Sequence, residues 1–160
     1  MAIAVGDKIP SAKLKTMTAE GPKDISTDDI FNGKKVVLFA VPGAFTPTCS
    51  AKHLPGFVEK AADIRGKGID TIACLAVNDA FVMGAWGKAQ NTGDKVLMLA
   101  DGAAAFTKQL GLDLDLTDPG MGVRSKRYAM VVDNGTVKAL QVEAPGAFEV
   151  SSAEAILKAL

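Results

Sequence analysis

Three short apolar runs constrain this chain most. The first, 34-KKVVLFAVP-42, is continuous and bounded by Gly33 and Pro42, and 69-IDTIACLAV-77 and 95-KVLMLAD-101 follow it. A run of four to eight apolar residues without polar alternation reads as a strand buried on both faces, as in the middle of a parallel sheet. Between the first two runs, Leu54, Phe57, Val58, Ala61 and Ile64 recur at helical spacing, which predicts a helix over about 49–65. Pro55 inside it should kink or distort the early turns, and Gly66 and Gly68 should stop it. Residues 79-DAFVMGAWGKAQ-90 predict a second helix, and the third run leads into a short helix closed by Gly111. A βαβα rhythm of this kind implies an α/β domain in three layers.

The C-terminal part changes style. In 126-KRYAMVVDNGTVKALQVE-143, Asn134-Gly135 separates two strand-like runs and suits the positive φ angles of a tight hairpin turn. The terminal 151-SSAEAILKAL-160 begins with Ser151 and Glu154 at capping-box spacing, then reads as an amphipathic helix. Parallel βαβ units, then a hairpin and a last helix, predict a thioredoxin-like fold: a mixed central sheet flanked by helices. No repeat or linker divides residues 1–160, so a single domain is expected.

Composition excludes several function classes. Lys plus Arg and Asp plus Glu both number 18, which gives no electrostatic case for nucleic acid or an anionic membrane. No apolar stretch is long enough for a spanning helix. The N-terminus has no basic region followed by a long apolar one, so no secretory signal is read. Two cysteines, 25 positions apart, make neither a disulfide scaffold nor a zinc pattern. A reducing, cytoplasmic setting is the simplest expectation, and a removed targeting segment stays open. No cofactor or metal is expected.

One cysteine has an unusual setting. Cys49 lies in 41-VPGAFTPTCSAKHLPGF-57, after the first central strand and at the start of the next helix. Ligand sites in open α/β sheets lie at the C-terminal ends of strands. A helix start offers unpaired N–H groups and partial positive charge. Both favour a thiolate, the form that acts as nucleophile. A dithiol oxidoreductase of this fold would carry Cys-x-x-Cys here, whereas this chain reads 46-TPTC-49. Thr46 exchanges a thiol for a hydroxyl that can both donate and accept. A thiolate beside a hydroxyl suits a small polar electrophile such as a peroxide, leaving Cys–SOH. Cys74, inside an apolar run, reads as a small buried hydrophobe. His53, one helical turn after Cys49, reads as a shaping or hydrogen-bonding residue; two ligands are too few for a zinc site.

Pro42, Thr46 and Cys49 form the P-x-x-x-T-x-x-C pattern, and PGAFTPTCS followed by KHLPGF resembles the Prx5, or type II, peroxiredoxins. VGDKIPSAKL, VNDAFVMGAWGKAQ and GVRSKRYAMVVDNGTVKAL resemble the same subfamily, so the likeness covers essentially the whole chain. It implies a thiol peroxidase for hydrogen peroxide and alkyl hydroperoxides, with Cys49 as the peroxidatic nucleophile. By the same resemblance Thr46 hydrogen-bonds the peroxide and the sulfur, and Pro42 shields the thiolate. Gly43, Phe45 and His53 fall in the substrate pocket. Aligning on 130-MVVD-133 selects Arg127 rather than Arg124 as the cation that stabilises charge on the leaving oxygen. The Cys49 N–H should add a donor of the oxyanion-hole type, worth roughly 2.7–4 kcal/mol elsewhere.

The sequence departs from some relatives at Ser151, the position matching their resolving cysteine. A 1-Cys cycle is therefore expected, with an external thiol (glutathione with glutaredoxin, or thioredoxin) attacking the sulfenic acid; a Cys49–Cys74 disulfide is the minority reading. Four successive apolar residues, 80-AFVM-83, cover about 300° of a helix and cannot all face one core. With Trp86 they predict a leftover apolar patch, and the resemblance implies a homodimer through the active-site loop and Phe81–Trp86. The rival readings are a peroxide sensor and a thiol–disulfide exchange protein of the same fold.

Overall fold

The computed structural model describes residues 2–160. It opens with elements the apolar runs do not announce: a hairpin of β1 (Lys13–Thr18) and β2 (Gly21–Ser26), then the short helix α1 (Thr27–Phe31). Ser26 and Asp29 form a reciprocal capping box at the start of α1.

The three apolar runs are β3 (Lys35–Ala40), β4 (Thr71–Ala76) and β5 (Leu97–Ala100), and they pair in parallel. Alternate side chains leave opposite faces of a strand. Val37, Phe39, Cys74 and Ala76 enter one core, while Val36, Leu38, Ala73 and Leu75 enter the other. Both faces are covered by helices, so neither set can be polar, and the runs are continuous. On the first face, α2 (Leu54–Glu59), α3 (Ala61–Gly66) and α4 (Ala80–Ala89) bury Phe57, Ile64 and Trp86. On the second, α1 and α5 (Ala105–Leu110) bury Phe31 and Phe106. Gly111 closes α5 in the left-handed conformation, as expected.

Beyond α5, β6 (Asp113–Leu116) and β7 (Gly122–Ser125) form a small separate sheet. The hairpin β8 (Tyr128–Asp133) and β9 (Thr136–Val142) turns at Asn134 (φ 48°) and Gly135 (φ 80°), the positive pair predicted. The main sheet runs β2-β1-β5-β4-β3-β8-β9, parallel in the middle and antiparallel at both sides. This is the mixed, helix-flanked sheet expected. Its register matters for the site: β3 and β8 pair Ala40 with Tyr128. Arg127, one residue before Tyr128, thus reaches the end where β3 leaves the sheet toward Pro42.

Two local expectations need correction. The helix expected over about 49–65 is three pieces: a π-helical turn at Cys49–His53, then α2, then α3, with a break at Lys60. Pro55 has no N–H, and the Leu54 N–H reaches back five residues to the Cys49 carbonyl. The last helix, α6 (Ala153–Ala159), is capped by Ser152, whose hydroxyl accepts from the Ala155 N–H at 3.1 Å. Ser151 is not the cap, because its side chain is engaged elsewhere in the buried site.

Candidate active site

The turn after β3 is pinned at several points. The Ala44 N–H donates to Asn78 Oδ1 at 2.9 Å, fixing it to the segment before α4. Thr46 Oγ1 donates to the Gly43 carbonyl at 2.7 Å, and the Thr46 carbonyl accepts from the Ser50 N–H at 2.9 Å. The hydroxyl proton of Thr46 is therefore directed at the loop. Its lone pairs remain available as acceptors. A Cβ on Gly43 would lie 2.9 Å from Arg124 Nη1 and 3.2 Å from the Thr46 methyl. Glycine there lets Arg124 close in, with Nη1 donating to the Pro42 carbonyl at 3.3 Å and Nε to the Met121 carbonyl at 2.8 Å.

Cys49 stands in the first turn after that loop and is fully buried. Among the described residues no protein acceptor takes its amide N–H, as is usual in a first turn. Arg127 Nη2 donates to Cys49 Sγ at 3.0 Å, and Arg127 Nη1 meets His53 Nδ1 at 2.8 Å. Arginine has donors only, so Nδ1 accepts; Nε2 then carries the ring proton and donates it to the Ser151 carbonyl at 2.9 Å. Burial, first, and the Arg127 charge, second, lower the His53 pKa to about 3, so the ring is neutral. Phe148 packs on His53, with centroids 5.0 Å apart, and the Arg127 guanidinium lies 5.9 Å from the Phe148 ring centre.

Ser151 is held in turn by Glu143. Oε2 of Glu143 accepts N–H bonds from Glu149, Val150 and Ser151 at 2.8, 2.9 and 2.8 Å, and the Ser151 hydroxyl at 2.7 Å. Burial pushes the Glu143 carboxyl up, and these bonds more than offset it, leaving it below its ordinary value. From the other side, α4 grips the π-turn: Trp86 Nε1 donates to Ser50 Oγ at 3.0 Å and Gln90 Nε2 to the Ser50 carbonyl at 3.1 Å.

Pro42, Thr46, Cys49, His53 and Arg127 thus meet in one place, from positions up to 85 apart in the chain. Arg124 supports the loop backbone. Phe45 lies at the surface, 56% exposed and left-handed at φ 63°. Cys74 is buried within β4 on the same core face as Cys49, and both thiols are free. Desolvation raises the Cys74 pKa well above a thiol's ordinary value. Trp86 is fully buried, so it is no part of an exposed patch; Phe81, 66% exposed, is. Sequence reasoning missed Glu143, Phe148 and the α4 clamp, since neither position nor spacing marks them. A cavity of about 160 Å³ lies against Pro42, Thr48, Lys126, Arg127, Glu143 and Ala147. A larger open groove beside β1, β5 and α4 contains neither thiol nor His53.

Fold and site together define a thioredoxin-fold protein built around one hydrogen-bonded thiol. The Redoxin family model matches residues 4–157. The chain is 54% identical to peroxiredoxin-2E, chloroplastic, of Arabidopsis thaliana over 162 residues, covering 99% of this chain and 69% of that protein. The crystal structure of reduced Prx3 from Vibrio vulnificus in complex with hydrogen peroxide is 57% identical, with 98% of each chain covered and a TM-score of 0.94. Peroxiredoxin 5 from Alvinella pompejana is 36% identical, covering 98% of this chain and 96% of that one at TM-score 0.87. The chain belongs to the redoxin family, among the Prx5-like, type II peroxiredoxins, and is a thiol peroxidase.

Proposed function

We propose that this chain reduces hydrogen peroxide and alkyl hydroperoxides at Cys49 in a 1-Cys cycle, with the second thiol supplied from outside. The observation that carries the assignment of Cys49 is the 3.0 Å hydrogen bond from Arg127 Nη2 to its sulfur. The Cys49 thiolate attacks the near peroxide oxygen; the S–O bond forms and the O–O bond breaks. The leaving oxygen takes the electron pair and a proton and departs as water or alcohol, and the sulfur is oxidised to sulfenic acid. Arg127 spreads its fixed charge over sulfur and leaving oxygen. The unpaired Cys49 N–H donates to the peroxide, and the Thr46 hydroxyl oxygen accepts from it. Pro42 keeps bulk water off the sulfur. Gly43, Phe45 and His53 shape the pocket, with His53 holding Arg127 rather than moving protons.

An external thiol (glutathione with glutaredoxin, or thioredoxin) then attacks Cys–SOH, forming a mixed disulfide and releasing water; a second thiol returns Cys49 to the reduced state. Two features support the 1-Cys reading. Ser151 carries no thiol at the position where some relatives resolve the cycle. Cys74 is hydrogen-bonded into a central strand between β3 and β5, where forming a disulfide requires the chain to move. We further propose a cytoplasmic protein that pairs as a homodimer through Phe45 and Phe81. A bulky residue in the left-handed region costs about 1–3 kcal/mol, which a partner's surface would offset.

Stopped-flow peroxide consumption by the wild type, Cys49→Ser and Cys74→Ser tests the assignment. Activity should vanish in Cys49→Ser alone, and a Cys49→Ser variant that still reduces peroxide refutes it. Non-reducing mass spectrometry after one equivalent of peroxide should find sulfenic acid or its adducts; an intramolecular Cys49–Cys74 bond would overturn the 1-Cys cycle.

A further inference from the structure

We propose that Glu143 is a positioning residue for the peroxide chemistry: its carboxylate fixes the Ser151 carbonyl as the acceptor that selects the His53 tautomer and thereby seats Arg127 against Cys49. The inference rests on the reading of Cys49 as the reacting sulfur.

Four donors converge on one oxygen of Glu143, three of them consecutive backbone N–H groups of residues 149–151. Neither of the ion pairs among the described residues involves Glu143, and its Oε2 is held by N–H and O–H dipoles. A carboxylate oxygen that gathers four charge-assisted bonds orders whatever supplies them. What it orders is the backbone that presents the Ser151 carbonyl to His53 Nε2.

The circuit closes on itself. The Glu143 N–H donates to the Arg127 carbonyl at 2.9 Å, just beyond the last pair of the β8–β9 ladder. The Arg127 guanidinium bonds His53 Nδ1, His53 Nε2 bonds Ser151, and Ser151 returns twice to the Glu143 side chain. Tautomer choice is the sensitive link. With the proton on Nε2, Nδ1 accepts from Arg127. With the proton on Nδ1, two donors face each other and the guanidinium must move off the sulfur. Arg127 at Nδ1 and a carbonyl at Nε2 select the same tautomer, and Glu143 holds that carbonyl in place.

His53 is the only histidine, so one imidazole signal reports the circuit in nitrogen-15 spectra of the full chain. The wild type should show Nε2–H with Nδ1 unprotonated. Glu143→Ala and the one-methylene-shorter Glu143→Asp should lose that signature for mixed tautomers. Both should slow peroxide oxidation of Cys49, followed by Trp86 emission, by about tenfold or more. Glu143→Gln keeps an oxygen where all four donors converge and should restore the tautomer and bring the rate to within about threefold of wild type. If Glu143→Ala does not fold, Glu143→Asp decides the question on the same two measurements. A folded Asp or Ala variant with the wild-type His53 signature and rate overturns the proposal, as does a slow variant whose tautomer is unchanged. Peroxidase activity persisting in Cys49→Ser would instead sink the reading of Cys49, leaving the tautomer measurement to test the circuit separately.

Discussion

Arg127 uses one arm of its fork on Cys49 Sγ and another on His53 Nδ1, so the plane of the guanidinium is set by two fixed points. A lysine would bring the same charge without the fork. Arg127→Lys is therefore expected to slow peroxide oxidation of Cys49 by about 10²–10³, the cost of one preorganised donor, with little change in the urea midpoint. A variant that keeps the wild-type rate would remove the fork from the mechanism. Thr46 tests a different contact. Thr46→Val keeps the shape, strips the lone pairs offered to peroxide and frees the Gly43 carbonyl. Its rate loss should exceed what about 1–2 kcal/mol of destabilisation explains, read by comparing kcat/KM with unfolding free energy.

At the level of elements, the π-turn at Cys49–His53 and its clamp by α4 form one device. Pro55 cannot donate to the turn before it, and the Ser50 carbonyl instead takes the Gln90 side-chain N–H. Trp86 binds the Ser50 hydroxyl one turn earlier in α4. Below them, Phe57 stacks on Phe39 with centroids 3.9 Å apart, which seats α2 on β3. Gln90→Ala should cost about 1–2 kcal/mol in chemical denaturation, because it orphans a partly buried carbonyl. Adding Pro55→Ala supplies a backbone N–H to the same turn and should recover part of that loss. Strict additivity of the two changes would show that Gln90 and Pro55 are not answering each other.

For the whole molecule, burying a neutral histidine links stability to pH. The His53 pKa is lowered to about 3 when folded and returns to about 6.5 on unfolding. Between those values the unfolded chain binds a proton that the folded chain refuses. Stability is therefore complete above about pH 6.5 and falls as pH drops, by about 1.4 kcal/mol per unit. Urea unfolding at pH 7.5 and 5.5 should differ by about 1.4 kcal/mol, and His53→Gln should flatten the difference. An equal slope in His53→Gln would assign it to other groups. At the surface, Phe81 is the apolar side chain α4 leaves outside. If the chain pairs through it, sedimentation at micromolar concentration should find dimers for the wild type and monomers for Phe81→Asp; wild-type monomers at that concentration would refute pairing.

The sequence alone determined the central strands, because a sheet covered on both sides leaves no position for a polar side chain. It also determined the turn at Asn134-Gly135, where local φ preference suffices, and the tight spacing of Pro42, Thr46 and Cys49. The hairpin β1–β2 was not legible, since one half-buried edge gives weak alternation. Tertiary structure decided the rest. The register of β3 against β8 brought Arg127 to Cys49, 78 residues away, and left Arg124 as a brace for the loop. It turned Ser151 from an expected helix cap into the partner of Glu143 and His53, and it buried Trp86 instead of exposing it. Period and turn propensity are local and read directly from the chain, whereas a hydrogen-bond circuit among Cys49, Arg127, His53, Ser151 and Glu143 exists only after the sheet has set which distant ends meet.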